Sequence, residues 1–300
     1  MNHYEIDPSL KGSSQICPPF TPFMMKAAQK LLKLPLNRTR SDLNRRTVSL
    51  SRPDGTVLKA DILEPENSPE ELPVLVYFHG GGFGYPASPY QRKLAELYAA
   101  HVPCRVILPD YRLLPDHPYP AAREDADQIW EWAVMEYPQS LKAVGGDSAG
   151  AVLASYVVKD APKKPDFQLL VYPVCSQQPV TASRRRFTDT PLWNAENNER
   201  MWEMYLPEGR NDAASPLQME LPESVPDAYV ELAQYDCLHD EGLLYAARLK
   251  EAGAKLELNN TKGTYHGYDI NLSSHLVWKQ IRRRIQALKK GFYGETKRDN

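Results

Sequence analysis

The stretch LKAVGGDSAGAVLASYVV, residues 141–158, decides the fold. A short apolar strand over 141–144 leads into glycines, and a helix of small residues follows through about residue 158. Between them, Gly146-Asp147-Ser148-Ala149-Gly150 fits the pattern G-x-S-x-G, a strained strand-to-helix turn that exposes its serine at the carboxyl end of a sheet. The bare pattern also occurs by chance, but here it has the strand and the helix that it requires, so Ser148 is a candidate nucleophile.

Strand and helix patterns alternate on both sides of this turn. Continuous apolar or β-rich runs predict strands over 74–78, 105–108, 167–172, 227–233 and 255–258. Helical patterns cover 92–100, 121–136, 241–252 and 274–290. Two runs that flank Pro53-Asp54-Gly55, at 47–50 and 56–63, predict a hairpin. The fold class is therefore α/β, with a mostly parallel central sheet flanked by helices.

The composition excludes several classes of protein. Lysine and arginine total 36 and aspartate and glutamate 38, for a net charge of −2, and 42% of the residues are hydrophobic. These values are typical of a globular protein and disfavour both a basic nucleic-acid binder and a disordered acidic chain. Proline is over-represented, at 26 of 300 residues, and predicts many ordered loops.

The sequence predicts a soluble, cytoplasmic protein with no membrane span. No signal peptide is recognisable, and the apolar run at 74–78 is far shorter than the ~20 residues of a transmembrane helix. The cysteines form no C-x-x-C pair, which argues against a zinc site and a disulfide framework. They are Cys17, Cys104, Cys175 and Cys237.

A second motif, His79-Gly80-Gly81-Gly82, directly follows the predicted strand at 74–78. It matches the HGGG type of loop, whose backbone N–H groups stabilise the oxyanion of an acyl-transfer reaction. A phosphate-binding glycine loop is the alternative, but the stretch has neither the G-x-G-x-x-G spacing nor a following Gly-Lys-Ser/Thr. We therefore interpret it as an oxyanion loop.

A serine nucleophile needs a base, and His266 is the preferred candidate. In hydrolases with this G-x-S-x-G turn the base lies C-terminal to the serine, where only His239, His266 and His275 occur. His266 lies between glycines in a loop after the predicted strand at 255–258. His275 falls in the final helix and His239 lies beside the acid loop, so both are predicted to be structural.

The acid that orients the base is predicted to be Asp236. It follows the predicted strand at 227–233. The neighbouring carboxylates Asp240 and Glu241 are interpreted as the cap and first turn of the next helix, where negative charge is stabilising.

Taken in order, these motifs resemble those of the hormone-sensitive-lipase-like esterases of the α/β-hydrolase fold, over roughly residues 72–270. The matching stretches are HGGG at 79–82, DYRLLPDHPYP at 110–120, GDSAG at 146–150, YDCLHDEG at 235–242 and HG at 266–267. The resemblance implies a catalytic triad and an oxyanion hole. The triad is Ser148, Asp236 and His266; the oxyanion donors are the N–H groups of Gly81, Gly82 and Ala149; His79 and Gly80 shape the loop.

The resemblance also implies a small helical cap. Its parts would be residues 1–45 and an insertion at about 176–212, over a catalytic domain at 46–300. Three aromatic residues of the insertion either line the substrate pocket or pack within the cap: Trp193, Trp202 and Tyr205. The run Arg184-Arg185-Arg186 is interpreted as a solvated face. Four charged or polar landmarks are predicted to brace loops: Asp110, Arg112, His117 and Asp125.

The predicted activity is hydrolysis of short- to medium-chain carboxylic esters through an acyl-enzyme, with no metal or cofactor. The partner is a small-molecule ester, neither nucleic acid nor membrane is expected, and the oligomeric state is open, a homo-oligomer included. Two alternatives remain. The same triad serves an amidase or formamidase, and a homologue of this fold can be a non-catalytic ligand-binding protein.

Overall fold

The computed structural model describes residues 4–15, 17, 19–31, 40–178 and 181–294. Its described part contains one eight-stranded sheet in the order β1-β2-β4-β3-β5-β6-β7-β8, in which β2 runs antiparallel to both neighbours and the other pairs are parallel. The strands are β1 Leu43–Ser51, β2 Val57–Pro65, β3 Val74–Phe78, β4 Arg105–Asp110, β5 Lys142–Asp147, β6 Phe167–Val171, β7 Asp227–Tyr235 and β8 Leu256–Tyr265.

Helices cover both faces of this sheet. They are α1 Pro22–Leu31, α2 Pro89–His101, α3 Ala121–Glu136, α4 Ala149–Asp160, α5 Ala182–Arg186, α6 Ala195–Tyr205, α7 His239–Glu251 and α8 His275–Tyr293. Apolar side chains of α3, α4 and α7 form one core, and those of α2 and α8 form the other. Strand β3 is buried throughout and sends Val76 to the first core and Tyr77 to the second, because successive strand side chains point to opposite faces. The predicted fold class is confirmed.

Several predicted elements match closely. The strand at 74–78 and the helix at 121–136 have the predicted bounds, and the hairpin pairs Leu50 with Leu58 in antiparallel register. Continuous apolar runs and a Pro-Asp-Gly turn are strong local signals, which explains the agreement.

The predicted end of the last strand, at residue 258, is wrong. Strand β8 continues to Tyr265, paired with β7 across an irregularity between Ala233 and Tyr235. Its extension contains polar residues whose groups are satisfied internally: the Asn259 amide donates to the Tyr229 hydroxyl at 3.0 Å and to Gln280 at 2.8 Å. Because the periodicity of apolar residues is lost there, the pattern predicted a loop.

The insertion after β6 contains α5 and α6, and no strand occurs in those of its residues that the structure describes. The N-terminal segment contains two short 3-10 helices, Pro8–Leu10 and Ser13–Gln15, and then α1. Its Gln29 amide donates to the carbonyls of Gly84 and Leu114 at 2.9 and 2.7 Å, which ties α1 to the loop after β3. Residues 1–3, 16, 18 and 32–39 of the predicted cap segment lie outside the described residues.

Within the described ranges, no helix combines the length and the apolar character needed to cross a bilayer. All four cysteines are free thiols; Cys17 is exposed and the other three are buried.

Candidate active site

Ser148 occupies a strained turn between β5 and α4. Its backbone has φ +55° and ψ −120°, a conformation that L-residues rarely adopt. The two flanking glycines are required by close approach: a Cβ on Gly146 would lie 2.4 Å from the carbonyl carbon of Gly150, and one on Gly150 would lie 2.0 Å from the carbonyl oxygen of Phe78. The glycines thus let β3, β5 and α4 pack closely enough to force the serine outward at the carboxyl end of the sheet.

Three of the predicted residues are joined by hydrogen bonds. His266 Nε2 lies 2.8 Å from Ser148 Oγ, and its Nδ1 lies 2.7 Å from Asp236 Oδ2. The other Asp236 oxygen accepts from the N–H of Leu238 at 2.9 Å. Since a carboxylate only accepts, Nδ1 is assigned the proton, and the lone pair of Nε2 then faces the serine hydroxyl.

The loop after β3 is a tight turn that fixes the direction of two N–H groups. His79 Nδ1 lies 2.8 Å from the carbonyl oxygen of Gly80, and the Gly81 carbonyl accepts from Gly84 and Tyr85 at 3.0 Å each. In a trans peptide C=O and N–H point in opposite directions. The Gly81 N–H therefore points away from the Gly80 carbonyl of the same peptide, and the Gly82 N–H points away from the Gly81 carbonyl. Positive φ angles of +117° and +59° make glycine necessary at both positions.

His79 is a neutral support of this loop. Burial lowers its pKa to about 4, and its ring stacks on Tyr111 at a centroid distance of 4.4 Å. Because Nδ1 donates to the Gly80 carbonyl, Nε2 carries the lone pair, and that atom has no hydrogen-bond partner among the described residues. The Tyr111 hydroxyl donates to the His79 carbonyl at 2.6 Å.

Asp147 connects the nucleophile turn to the oxyanion loop, a role that the sequence analysis missed. Its Oδ2 accepts from the Gln91 amide at 2.7 Å, and the N–H of Gly80 also donates to this carboxyl group. Burial, together with the nearby charge of Asp269, raises the pKa of Asp147 to about 6. A Cβ on Gly80 would lie 2.4 Å from this carboxyl, so only glycine fits there. The signal that could have located Gln91 is the capping box that it forms with Ser88 at the start of α2.

A cavity of about 140 Å³ opens in front of Ser148. Its lining is mostly apolar and aromatic: Phe20, Gly81, Gly82, Tyr85, Tyr90, Asp147, Ser148, Tyr172, Leu192, Trp193, His266, Gly267 and Ile270.

Both parts of the predicted cap contribute to this cavity. Phe20 precedes α1, Trp193 lies in the insertion, and their rings meet edge to face at 5.1 Å above Gly82. The other two aromatic candidates do not line it: Trp202 and Tyr205 are buried away from the cavity, and Tyr205 stacks on Phe83, in the loop after β3, at 4.0 Å.

The interpretation of Arg184-Arg185-Arg186 as a solvated face is wrong for its first member. Arg185 and Arg186 are exposed, but Arg184 is 3% exposed and its Nη1 lies 3.3 Å from Glu241 Oε2. Glu241 also accepts from the N–H of Cys175 at 2.8 Å, so it is more than a helix-capping charge. Burial raises the pKa of Glu241 to about 7, although the positive charge of Arg184 acts to lower it. A charged run does not reveal which of its members faces inward.

The remaining predicted residues are structural. His239 lies 2.9 Å from both the Asp240 carboxylate and the Asn260 amide, and His275 begins α8. Asp125 is completely buried and accepts from two guanidinium groups, Arg52 at 2.7 Å and Arg112 at 3.1 Å. The predicted bracing role is confirmed for Arg112 and Asp125, whereas Asp110 and His117 are exposed.

A family model described as alpha/beta hydrolase fold, Abhydrolase_3, matches residues 75–270. The chain belongs to this family. Abhydrolase_3 is the family of the hormone-sensitive-lipase-like esterases, and the resemblance given above is confirmed.

Relatives of this Abhydrolase_3 protein are named as esterases. Esterase LipI of Mycobacterium tuberculosis is 31% identical over 258 residues, which cover 80% of this chain and 79% of that protein. An ethyl acetate hydrolase of Pseudomonas putida is 30% identical over 74% of each chain. Among solved structures, a bacterial heroin esterase superposes with a TM-score of 0.85 at 26% identity, with 96% of this chain and 98% of that chain covered. Esterase LipW from Mycobacterium marinum gives 0.84 at 28% identity, with 96% of each covered.

Proposed function

We propose that the protein is a serine carboxylesterase whose triad is Ser148, His266 and Asp236. The observation that carries the proposal is the unbroken hydrogen-bonded chain from Asp236 through His266 to Ser148 Oγ, at the wall of a cavity. Backbone donors beside the same serine supply the second requirement of acyl transfer, stabilisation of an oxyanion.

In the first half-reaction, Ser148 Oγ attacks the ester carbonyl carbon while His266 Nε2 takes the hydroxyl proton. The N–H groups of Gly81, Gly82 and Ala149 stabilise the negative oxygen of the tetrahedral intermediate. His266 then gives the proton to the leaving alkoxide, and the alcohol departs from an acyl-serine. Water attacks the acyl-serine with His266 again as the base, which releases the acid and restores the serine.

Asp236 holds the imidazole in the required tautomer and stabilises the imidazolium that forms in each half-reaction. Its second oxygen is held by the Leu238 N–H, so the carboxylate has a fixed orientation. His79 and Gly80 act on the reaction only by shaping the loop that carries the oxyanion donors.

The cavity favours short acyl groups. Its volume of about 140 Å³ is well below the roughly 300–1,000 Å³ of pockets that enclose drug-sized ligands. Rigid aromatic rings, Phe20 and Trp193 among them, form much of its wall, and Ile270 is 44% exposed at its edge. The relative named ethyl acetate hydrolase fits this preference. We include the cap in the proposal: residues 1–45 and about 176–212 cover a catalytic domain at 46–300 and limit the length of the substrate.

The purified protein, assayed on a series of p-nitrophenyl esters from acetate to dodecanoate, tests this proposal. We expect kcat/KM to be highest for acetate to butyrate and to fall by about tenfold or more beyond hexanoate, since longer chains exceed the cavity. A matched p-nitroanilide tests the amidase alternative and should react at least about 100-fold more slowly than its ester. Rates no higher than those of Ser148→Ala on every ester would contradict the proposal.

A further inference from the structure

Tyr172, the residue after β6, has a backbone conformation that aromatic residues rarely adopt. Its φ is +35°, and its N–H donates to the carbonyl of Glu231 on β7 at 2.6 Å. Positive φ at a bulky residue persists only where the surroundings enforce it, and such positions concentrate at functional sites. The sequence analysis treated this tyrosine only as the end of a strand.

The side chain of Tyr172 lies between His266 and a second carboxylate. Its ring centroid is 4.6 Å from that of His266, with the two planes inclined by 60°. Its hydroxyl donates to Asp269 Oδ1 at 2.7 Å. Tyr172 therefore links His266 to Asp269.

Asp269 belongs to a buried cluster with an excess of negative charge. Its Oδ2 accepts from Arg284 Nη1 at 2.7 Å, and Arg284 also pairs with Glu231, Nε to Oε2 at 3.0 Å. All three side chains are completely buried. Two carboxylates thus share one guanidinium, and the Tyr268 hydroxyl donates to Glu231 at 2.6 Å.

Few other charged groups face His266. Asp236 and Ser148 hydrogen-bond its two ring nitrogens, and the Trp193 ring of the cap lies 6.1 Å away. Asp147, on the nucleophile turn, is the other nearby carboxyl; burial and the Asp269 charge raise its pKa to about 6, so at neutral pH it adds to the negative potential. The Tyr172 ring is therefore one of the groups that pack directly on the imidazole of His266.

We propose that Tyr172 is a positioning residue for the reaction, and that its ring, held in place by the hydrogen bond to Asp269, orients the His266 ring. The proposal rests on the proposed function, in which His266 is the base.

Tyr172→Phe tests the pair, with Tyr268→Phe as its control. Each variant removes one hydroxyl from the same buried cluster, but Tyr172 contacts His266 whereas Tyr268 bonds to Glu231. In Tyr172→Phe we expect kcat on p-nitrophenyl acetate to fall by about three- to tenfold with KM nearly unchanged. The fall in kcat at constant KM is the mark of a misplaced imidazole, because substrate binding does not depend on it. Tyr268→Phe should lower the Tm and leave kcat unchanged.

Asp269→Asn weakens the acceptor of the Tyr172 hydroxyl and should also lower kcat with KM nearly unchanged, provided that it folds; if it does not fold, Tyr172→Phe alone is the test. An unchanged kcat in Tyr172→Phe, or an equal fall in Tyr268→Phe, would overturn the inference. Ser148→Ala separates this outcome from failure of the proposed function. If Ser148→Ala is inactive and the kcat of Tyr172→Phe is unchanged, only the role of Tyr172 is refuted; if Ser148→Ala is fully active, the proposed function itself fails.

Discussion

The turn at Ser148 and the insertion after β6 are two regions built by different means. At the turn, backbone meets backbone: Gly150 lies against the Phe78 carbonyl with no room for a Cβ. In the insertion, α5 is anchored by side chains, above all by the buried pair of Arg184 with Glu241, which are 57 residues apart. A close backbone contact requires glycine, which can be recognised in the local sequence. A contact between distant side chains cannot be recognised in this way.

The largest expected effect comes from breaking the backbone contact. Gly150→Ala would force a Cβ to within 2.0 Å of the Phe78 carbonyl oxygen, so β3 and α4 must separate. We expect a loss of at least about 4 kcal/mol in the free energy of unfolding, measured by urea denaturation, or failure to fold. Gly12→Ala, in the N-terminal segment, is the matched control because nothing lies within 4 Å of its Cβ, and it should change stability by less than about 0.5 kcal/mol. Equal losses in the two variants would refute the contrast.

A smaller but still large effect is expected in the insertion after β6. Arg184→Met leaves the buried Glu241 without its counter-ion and should cost about 3–5 kcal/mol by the same measurement at pH 8.5, above the pKa of about 7 of this carboxyl. The double variant Arg184→Met, Glu241→Gln should recover much of the loss, since no unpaired charge then remains buried. Arg186→Met, a change to an exposed neighbour, should cost less than about 1 kcal/mol. If Arg184→Met is as mild as Arg186→Met, the pair does not anchor α5.

The smallest effect on stability is expected from the titration of Asp147, a side chain on which the turn also depends. Its pKa is raised from 3.8 to about 6, so between these values the folded protein retains a proton that the unfolded chain has lost. Stability should therefore fall as pH rises through this window, by up to about 3 kcal/mol for the shift of roughly two units. Asp147→Asn lacks this titration, so its stability relative to the wild type should improve from pH 4 to pH 6.5. A difference that is independent of pH would contradict the raised pKa.

Sequence patterns were sufficient to predict the α/β class and to single out Ser148, His266 and Asp236, which hydrogen bonds join in the structure, since both depend on short local signals. Gly146, Ser148 and Gly150 are determined by the geometry of one turn, and the strand at 74–78 by an unbroken apolar run. The extension of β8 was missed because its polar side chains are satisfied only in the folded state, as those of Asn259 are.

The contacts of Arg184 and Tyr172 were missed for a related reason. An arginine in a charged run is expected at the surface, and a tyrosine at the end of a buried strand is expected in the core. Neither residue type indicates which partner the fold supplies. The partner of the Tyr172 hydroxyl, Asp269, is 97 positions further along the chain.

Covalent labelling with a fluorophosphonate tests the assignment of Ser148 as the nucleophile most directly. We expect one adduct per chain, located on Ser148 by peptide mass spectrometry and formed in step with the loss of p-nitrophenyl acetate hydrolysis. Ser148→Ala, shown to be folded by circular dichroism, should take up no label and have a kcat lower by on the order of 10⁴-fold or more. A label on another residue, or a Ser148→Ala variant that keeps most of the activity, would contradict the account.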